Sequence, residues 1–154
     1  MNRPWPVGVR LLSAVTMILS VAVPIFAALG GTEDSVAADQ AKFHASRKVV
    51  AERGFSVHAI SEANGTEVRE YVAPSGKVFA VTWKGPTLPD LPQLLGASFQ
   101  EFQTSLHAKR SRKTSAVVRN PDLVVESTGH MRAFYGRAYL KSLLPNGMTP
   151  EAIQ

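Results

Sequence analysis

Between Phe55 and Lys84, apolar and polar residues alternate in three short runs, "FSVHAIS", "EVREYV" and "VFAVTWK", separated by Asn64-Gly65 and Ser75-Gly76. A period of two is that of a strand with one buried face. Asn-Gly or Ser-Gly between such runs marks a hairpin, because the favoured tight turns need positive φ. With those dipeptides as the loops, facing residue numbers sum to 129 in the first hairpin and to 151 in the second. This register lays Val57, Ala59 and Ser61 beside Val72, Glu70 and Val68, and these beside Phe79, Val81 and Trp83, as the core face. The opposite face pairs His58 with Tyr71 and Ala80, Ile60 with Arg69 and Thr82, and Glu62 with Glu67 and Lys84, a mostly polar set that includes a cross-strand ion pair. A slip of one residue would exchange the two faces.

The pattern then changes period. Leu91, Leu94, Leu95, Phe99, Phe102 and Leu106 recur at helical spacing and predict a core-facing amphipathic helix from Leu91 to Ala108. Asp90 with Gln93 three residues later fits a capping box, and Pro92 falls in the first turn, where its missing N–H costs nothing. Upstream, Thr32, Asp34 and Ser35 are capping candidates for a helix from about Ser35 to Arg53, whose apolar stripe of Val36, Phe43 and Val50 is thin. Downstream, Asn120-Pro121-Asp122 and Thr128-Gly129 break the chain into short strands, Met131 to Leu140 being the longest, and Thr149-Pro150-Glu151 reads as a helix start. The expected fold is a single α+β domain: an antiparallel β-meander packed on one face by the amphipathic helix, with an additional N-terminal helix.

Arg3 and Arg10 precede the uncharged run "LLSAVTMILSVAVPIFA", which ends in small residues, the three-part pattern of a secretory signal peptide. Cleavage is expected after Ala27, leaving a domain from 28 to 154; the competing reading is an uncleaved anchor, since Leu11 to Leu29 approaches the roughly 20 residues of a membrane span. The chain has no cysteine, so neither a disulfide nor a thiol-linked lipid contributes. After the signal, fifteen basic residues face twelve acidic ones, a net charge of +3 that selects no partner by itself.

Chemistry is sparse. His44, His58, His107 and His130 show no metal-ligand spacing, and there is no nucleophile elbow or phosphate-binding glycine loop, so no metal or cofactor is expected. Glu67 and Glu70, three apart on a strand, point to opposite faces and cannot work as an acid–base pair. Two features stand out as tentative binding candidates. One is Glu70, a carboxylate on the apolar face, which needs a partner such as Arg132, Arg137 or Ser61, or else serves a site. The other is Lys109, Arg110, Arg112 and Lys113 in "KRSRK", which reads either as a solvated helix end and loop or as a patch for anionic lipid headgroups, polysaccharide or an acidic partner. Tyr135 and Tyr139 near Arg132 and Arg137 offer ordinary packing or a sugar- or peptide-binding surface. Nucleic acid is not expected, because aromatic residues do not interleave the basic run.

Three stretches, "ALGG", "VREYVAPSGKVFAVTWKGPTLPDLPQLLG" and "DLVVESTGHMRAFYGRAYLKSLLP", resemble domain-of-unknown-function family 2844, small exported proteins of Gram-negative bacteria. The resemblance covers essentially the whole chain after the signal and implies an exported single-domain protein with no catalytic residues to carry over. The expected function is a non-catalytic periplasmic binding or protein-interaction module, acting on another exported protein or an anionic envelope component. The alternative is a small periplasmic hydrolase or acid–base enzyme using Glu70 and a histidine. The membrane is expected as a partner only through an uncleaved N-terminal segment.

Overall fold

A computed structural model describes residues 29–42, 45–109 and 115–154. The predicted signal segment, Phe43, His44 and the run 110–114 lie outside the described residues.

Among the described residues there are seven strands: β1 (Ser46–Glu52), β2 (Phe55–Ser61), β3 (Glu67–Val72), β4 (Val78–Gly85), β5 (Ser115–Arg119), β6 (Leu123–His130) and β7 (Ala133–Leu140). They form one antiparallel sheet in the order β1-β2-β3-β4-β7-β6-β5. The first four are a meander, of which the alternation predicts β2, β3 and β4. The chain then leaves β4 through α2 (Leu91–Leu95) and α3 (Ser98–Lys109), re-enters at the far edge as β5, and works back until β7 lies beside β4.

The hairpin turns correct the predicted register. In the first, the Gly65 N–H donates to the Glu62 carbonyl and the Glu62 N–H to the Thr66 carbonyl, with Gly65 at φ 89°. The central turn residues are therefore Ala63 and Asn64, with Gly65 following in the left-handed conformation, so the loop has three residues instead of two. Asn64 is held there by the Thr66 N–H, which donates to its Oδ1 at 2.7 Å. Facing residues consequently sum to 128, as in His58↔Glu70 and Ile60↔Val68. Ala73, Gly76 and Lys77 repeat the same turn in the second hairpin, giving Val72↔Val78. A bulge in β4 then inserts Phe79, after which Tyr71↔Ala80 and Glu70↔Val81 recover the predicted sum of 151.

Shifting β2 by one residue exchanges its faces. Ile60 and His58, expected on the polar side, are both fully buried on the first face with Val68, Glu70, Val81 and Trp83. Ala59 and Ser61, expected in the core, lie on the second face. Phe79, also expected beside Val81 and Trp83, is turned by the bulge to the second face, where its ring meets Phe55 and Tyr71 at centroid distances of 6.0 Å.

The core follows these faces. One cluster joins Ile60, Val68, Val81, Trp83, Val125 and Ala138 with Leu94 and Leu95 of α2, Phe102 of α3 and Val36 of α1 (Glu33–Lys42). A smaller one joins Tyr71, Phe79, Ala80, Val124 and Tyr139 with Ile153, and Leu143, Leu144 and Met148 pack against it.

Two helix expectations change. The stretch from 91 to 108 is two helices, broken at Gly96, which takes φ 48° and bonds back to the Pro92 carbonyl at 3.0 Å. The cap at its start is as predicted, with the Gln93 N–H donating to Asp90 Oδ1 at 3.2 Å. The N-terminal helix ends at Lys42, well short of Arg53, because Ser46 to Glu52 is strand β1. Adjacent β-branched Val49 and Val50 favour strand, and Arg53-Gly54 closes a tight turn that pairs Glu52 with Phe55. In the C-terminal half, Thr128-Gly129 does not break the chain. β6 runs through it to His130, and the turn falls at Met131-Arg132, both at positive φ.

Candidate binding site on the second face of the sheet

Register places three parallel rows of side chains across the second face. Val57, Tyr71, Ala80, Tyr139 and Val124 make an apolar row. It is covered by the chain after Leu140, whose Ile153 is 2% exposed. Beside it runs a charged row of Arg69, Thr82, Arg137 and Glu126, and beyond that a hydrogen-bonding row of Glu67, Lys84, Tyr135, Thr128 and Ser115. The last two rows form the floor of a groove of about 1030 Å³. A second hollow, of about 760 Å³, continues over β1 and β2, and the two share Glu67, Arg69 and Gln154.

The C-terminal segment is tied down by the charged row. Arg137 donates to the Pro150 carbonyl at 2.8 Å, Arg69 to the Gln154 carbonyl at 3.3 Å, and the Tyr71 hydroxyl also bonds that carbonyl. Within the groove, Glu67 holds Arg69 at 2.5 Å. Glu126 holds both Arg119, at 2.5 Å, and Arg137, at 2.9 Å. The hydrogen bond that Arg69 donates to Glu67 raises the affinity of Arg69 for its proton above the ordinary value. Four cationic side chains (Arg69, Lys84, Arg119, Arg137) thus face two side-chain carboxylates, leaving the lining side chains at +2. Lys84, predicted to pair with Glu67, has no ion-pair partner among the described residues, because Arg69 has taken that carboxylate.

Glu70 is 1% exposed and lies on the first face, in the strand pairing with His58. None of the three partners expected for it is there. Arg137 and Ser61 are on the second face, and Arg132 sits in the β6–β7 turn. The structure instead brings Glu70 next to His58, a juxtaposition that follows from the three-residue turn. His58 Nε2 lies 3.1 Å from Ser56 Oγ and 3.6 Å from Glu33 Oε1. Burial, and then the Arg47 guanidinium, lower the His58 pKa against the opposing pull of Glu33, so the imidazole is neutral at pH 7. Neither His58 nor Glu70 lines either hollow.

Of the predicted basic patch, Lys109 closes α3, and β5 starts at Ser115. Arg110, Arg112 and Lys113 lie outside the described residues. Tyr135 and Arg137, singled out in the sequence, do share the groove, whereas Tyr139 is 7% exposed in the covered row. Lys84 is readable only as a polar-face residue opposite Glu67, which does not give its neighbour on β7, and Arg119 carries no site signal in the sequence. No group of three or more metal-ligating side chains occurs among the described residues, and no helix there is long and apolar enough to cross a membrane.

The chain belongs to the family described as protein of unknown function (DUF2844), whose model matches residues 25–153. No curated protein and no solved structure matches it.

Proposed function

We propose that this member of the DUF2844 family is an exported, non-catalytic binding module that takes an extended ligand across the second face of its sheet. In this reading the amphipathic and N-terminal helices are structural backing for the first face, and the periplasm of a Gram-negative bacterium is where the module works. The observation that carries it is the groove itself. A concave strip on rigid strands, lined by charged, hydroxyl and aromatic side chains, is left open where the neighbouring apolar row is covered.

A second reading, acid–base chemistry at Glu70 and His58, is favoured by their cross-strand pairing and by Ser56 Oγ at 3.1 Å from the imidazole. Burial counts against it, since both residues are at most 1% exposed and neither lines either of the two hollows.

The test is residue-resolved. ¹⁵N-labelled protein is placed in concentrated periplasmic extract, and amide shifts are mapped. Perturbations confined to β3, β4, β6 and β7 around Lys84 and Tyr135 support the module. Perturbations centred on His58 and Glu70, or none, overturn it.

A further inference from the structure

We propose that the ligand of this groove is an oligosaccharide bearing carboxylate groups, stacked on Tyr135 with a carboxylate against Lys84. The inference rests on reading the second face as a binding surface and adds the class of ligand.

Tyr135 is 57% exposed in the middle of a seven-stranded sheet, on a strand with neighbours on both sides. A large ring on a strand paired on both sides is anchored at its backbone yet left in water, an arrangement that offers an apolar ring for a pyranose to stack on and a hydroxyl at its rim. Its cross-strand neighbours are Lys84 on β4 and Thr128 on β6, with Ser115 beyond on β5 and Glu67 beyond Lys84. Five strands separated by roughly 4.8 Å give a row about 19 Å long. Along it, hydrogen-bonding groups alternate around one aromatic platform, which suits a chain of hydroxyl-bearing rings.

The same geometry disfavours a peptide. A polypeptide bound in extended form gains affinity by pairing its backbone with a sheet edge. On the face of a sheet the backbone groups are already spent within the ladder, and only side chains are offered.

Charge decides between an acidic and a neutral saccharide. Each carboxylate in the groove is already occupied, Glu67 by Arg69 and Glu126 by Arg119 and Arg137 together. Lys84 is left over beside Tyr135, and two arginines share a single carboxylate. A carboxylate arriving on the sugar completes both deficits. A neutral sugar completes neither.

The test uses the purified protein and four probes at fixed ionic strength: tetragalacturonate, neutral maltotetraose, tetraglutamate and a heparin-derived tetrasaccharide, each followed by amide shifts. Tetragalacturonate should shift Tyr135, Lys84 and Thr128, bind at least tenfold more tightly than maltotetraose, and weaken as salt is raised. Tyr135→Ala should weaken it about tenfold, as loss of a central aromatic contact does. Lys84→Gln should narrow the gap between acidic and neutral probes; both positions are exposed, so both variants should fold. Equal binding of the neutral and acidic sugars overturns the carboxylate assignment, and preference for the heparin fragment overturns it in favour of sulfate. Shifts on this face with tetraglutamate alone overturn the saccharide while leaving the binding face standing. Silence with all four probes overturns the ligand class, and the extract experiment then decides separately whether the face binds anything.

Discussion

Removing the Trp83 indole tests the assignment of faces most directly. Trp83 is 2% exposed and belongs to the cluster with Val81, Leu94 and Leu95. Its ring lies across Gly136 on β7, so closely that a Cβ there would stand 2.4 Å from Cζ2. Truncating a buried tryptophan to alanine costs about 3–5 kcal/mol in lost transfer energy and residual cavity. One term works the other way: Nε1 is buried with no acceptor among the described residues, and deleting an unsatisfied donor recovers part of the loss. The expected cost of Trp83→Ala is therefore near the lower end, about 3 kcal/mol, a large share of the 5–15 kcal/mol typical of a domain. With urea slopes of about 1–3 kcal/mol per molar, the midpoint should fall by roughly 1–3 M. Far-UV circular dichroism is the suitable probe, since the substitution removes the fluorophore. Trp83→Phe, which refills most of the space without the N–H, should recover more than half of the loss. A Trp83→Ala midpoint within about 0.3 M of the parent would refute the reasoning, because no surface tryptophan on the second face could cost 3 kcal/mol.

Gly85→Ala should destabilise by about 1–3 kcal/mol, since its Cβ would stand 2.5 Å from the Thr66 Cα, which is backbone and cannot rotate away; unchanged thermal unfolding would show that the two strands are not so close. Because the folded pKa of His58 is depressed, the unfolded chain binds a proton that the folded one refuses, so His58 contributes stability above pH 6.5 that is lost as pH falls below it. Urea midpoints between pH 7.5 and 5.5 should fall with a slope from this residue of at most about 1.4 kcal/mol per pH unit, and His58→Gln should flatten the profile; coincident profiles would remove His58 from the account. Glu70 is buried and has a polar or electrostatic contact of its own, so Glu70→Gln and Glu70→Leu should each lose about 2–5 kcal/mol. Two variants more stable than the parent would instead mark Glu70 as a strained functional carboxylate. Cleavage after Ala27 predicts a mature N-terminus of Ala28 in protein from the periplasmic fraction, and an intact mass that includes residues 1–27 would favour the anchor.

Which parts of this were legible in the sequence follows from the range of the physics involved. Strands β2, β3 and β4 were readable because alternation is local, and the Asp90 cap because it is settled within four residues. The antiparallel sheet was readable from its turns. β1 was not: "SRKVVAE" has no alternation strong enough to oppose helix, and it becomes a strand because β2 is there to pair with it. The position of β7 beside β4 was out of reach for the same reason, as the two are joined through two helices and two other strands. The candidate groove depends on that junction. Lys84 and Tyr135 are 51 residues apart in the chain and direct neighbours in the sheet, an adjacency that no periodicity carries. Glu70 could be recognised as buried from its own strand, but its neighbour could not, because the neighbour is fixed by the turn.

That turn shows how one backbone choice sets the chemistry of two faces. Asn64-Gly65 served as a turn signal in either case. With two loop residues it would have put Ala59 beside Glu70 and left His58 among the polar side chains. With three, Ala63 and Asn64 form the turn, Gly65 takes the left-handed position, and His58 is carried into the core beside Glu70. The second hairpin makes the same turn, which alone would have swapped the faces of β4 as well. The bulge at Phe79 undoes that shift for the rest of the strand, so Val81 and Trp83 stay in the core while Thr82 and Lys84 stay in the groove. β4 thus serves both faces only because an inserted residue cancels the offset of its turn. Phe79 itself, displaced to the second face, packs with Phe55 and Tyr71 in the cluster that includes Ile153 of the C-terminal segment. The buried His58–Glu70 pair thus follows from the first turn, and the open polar rows from the second turn with its bulge and from the β4–β7 junction, so a change in the length of the first loop would disturb the pair and leave the rows in place.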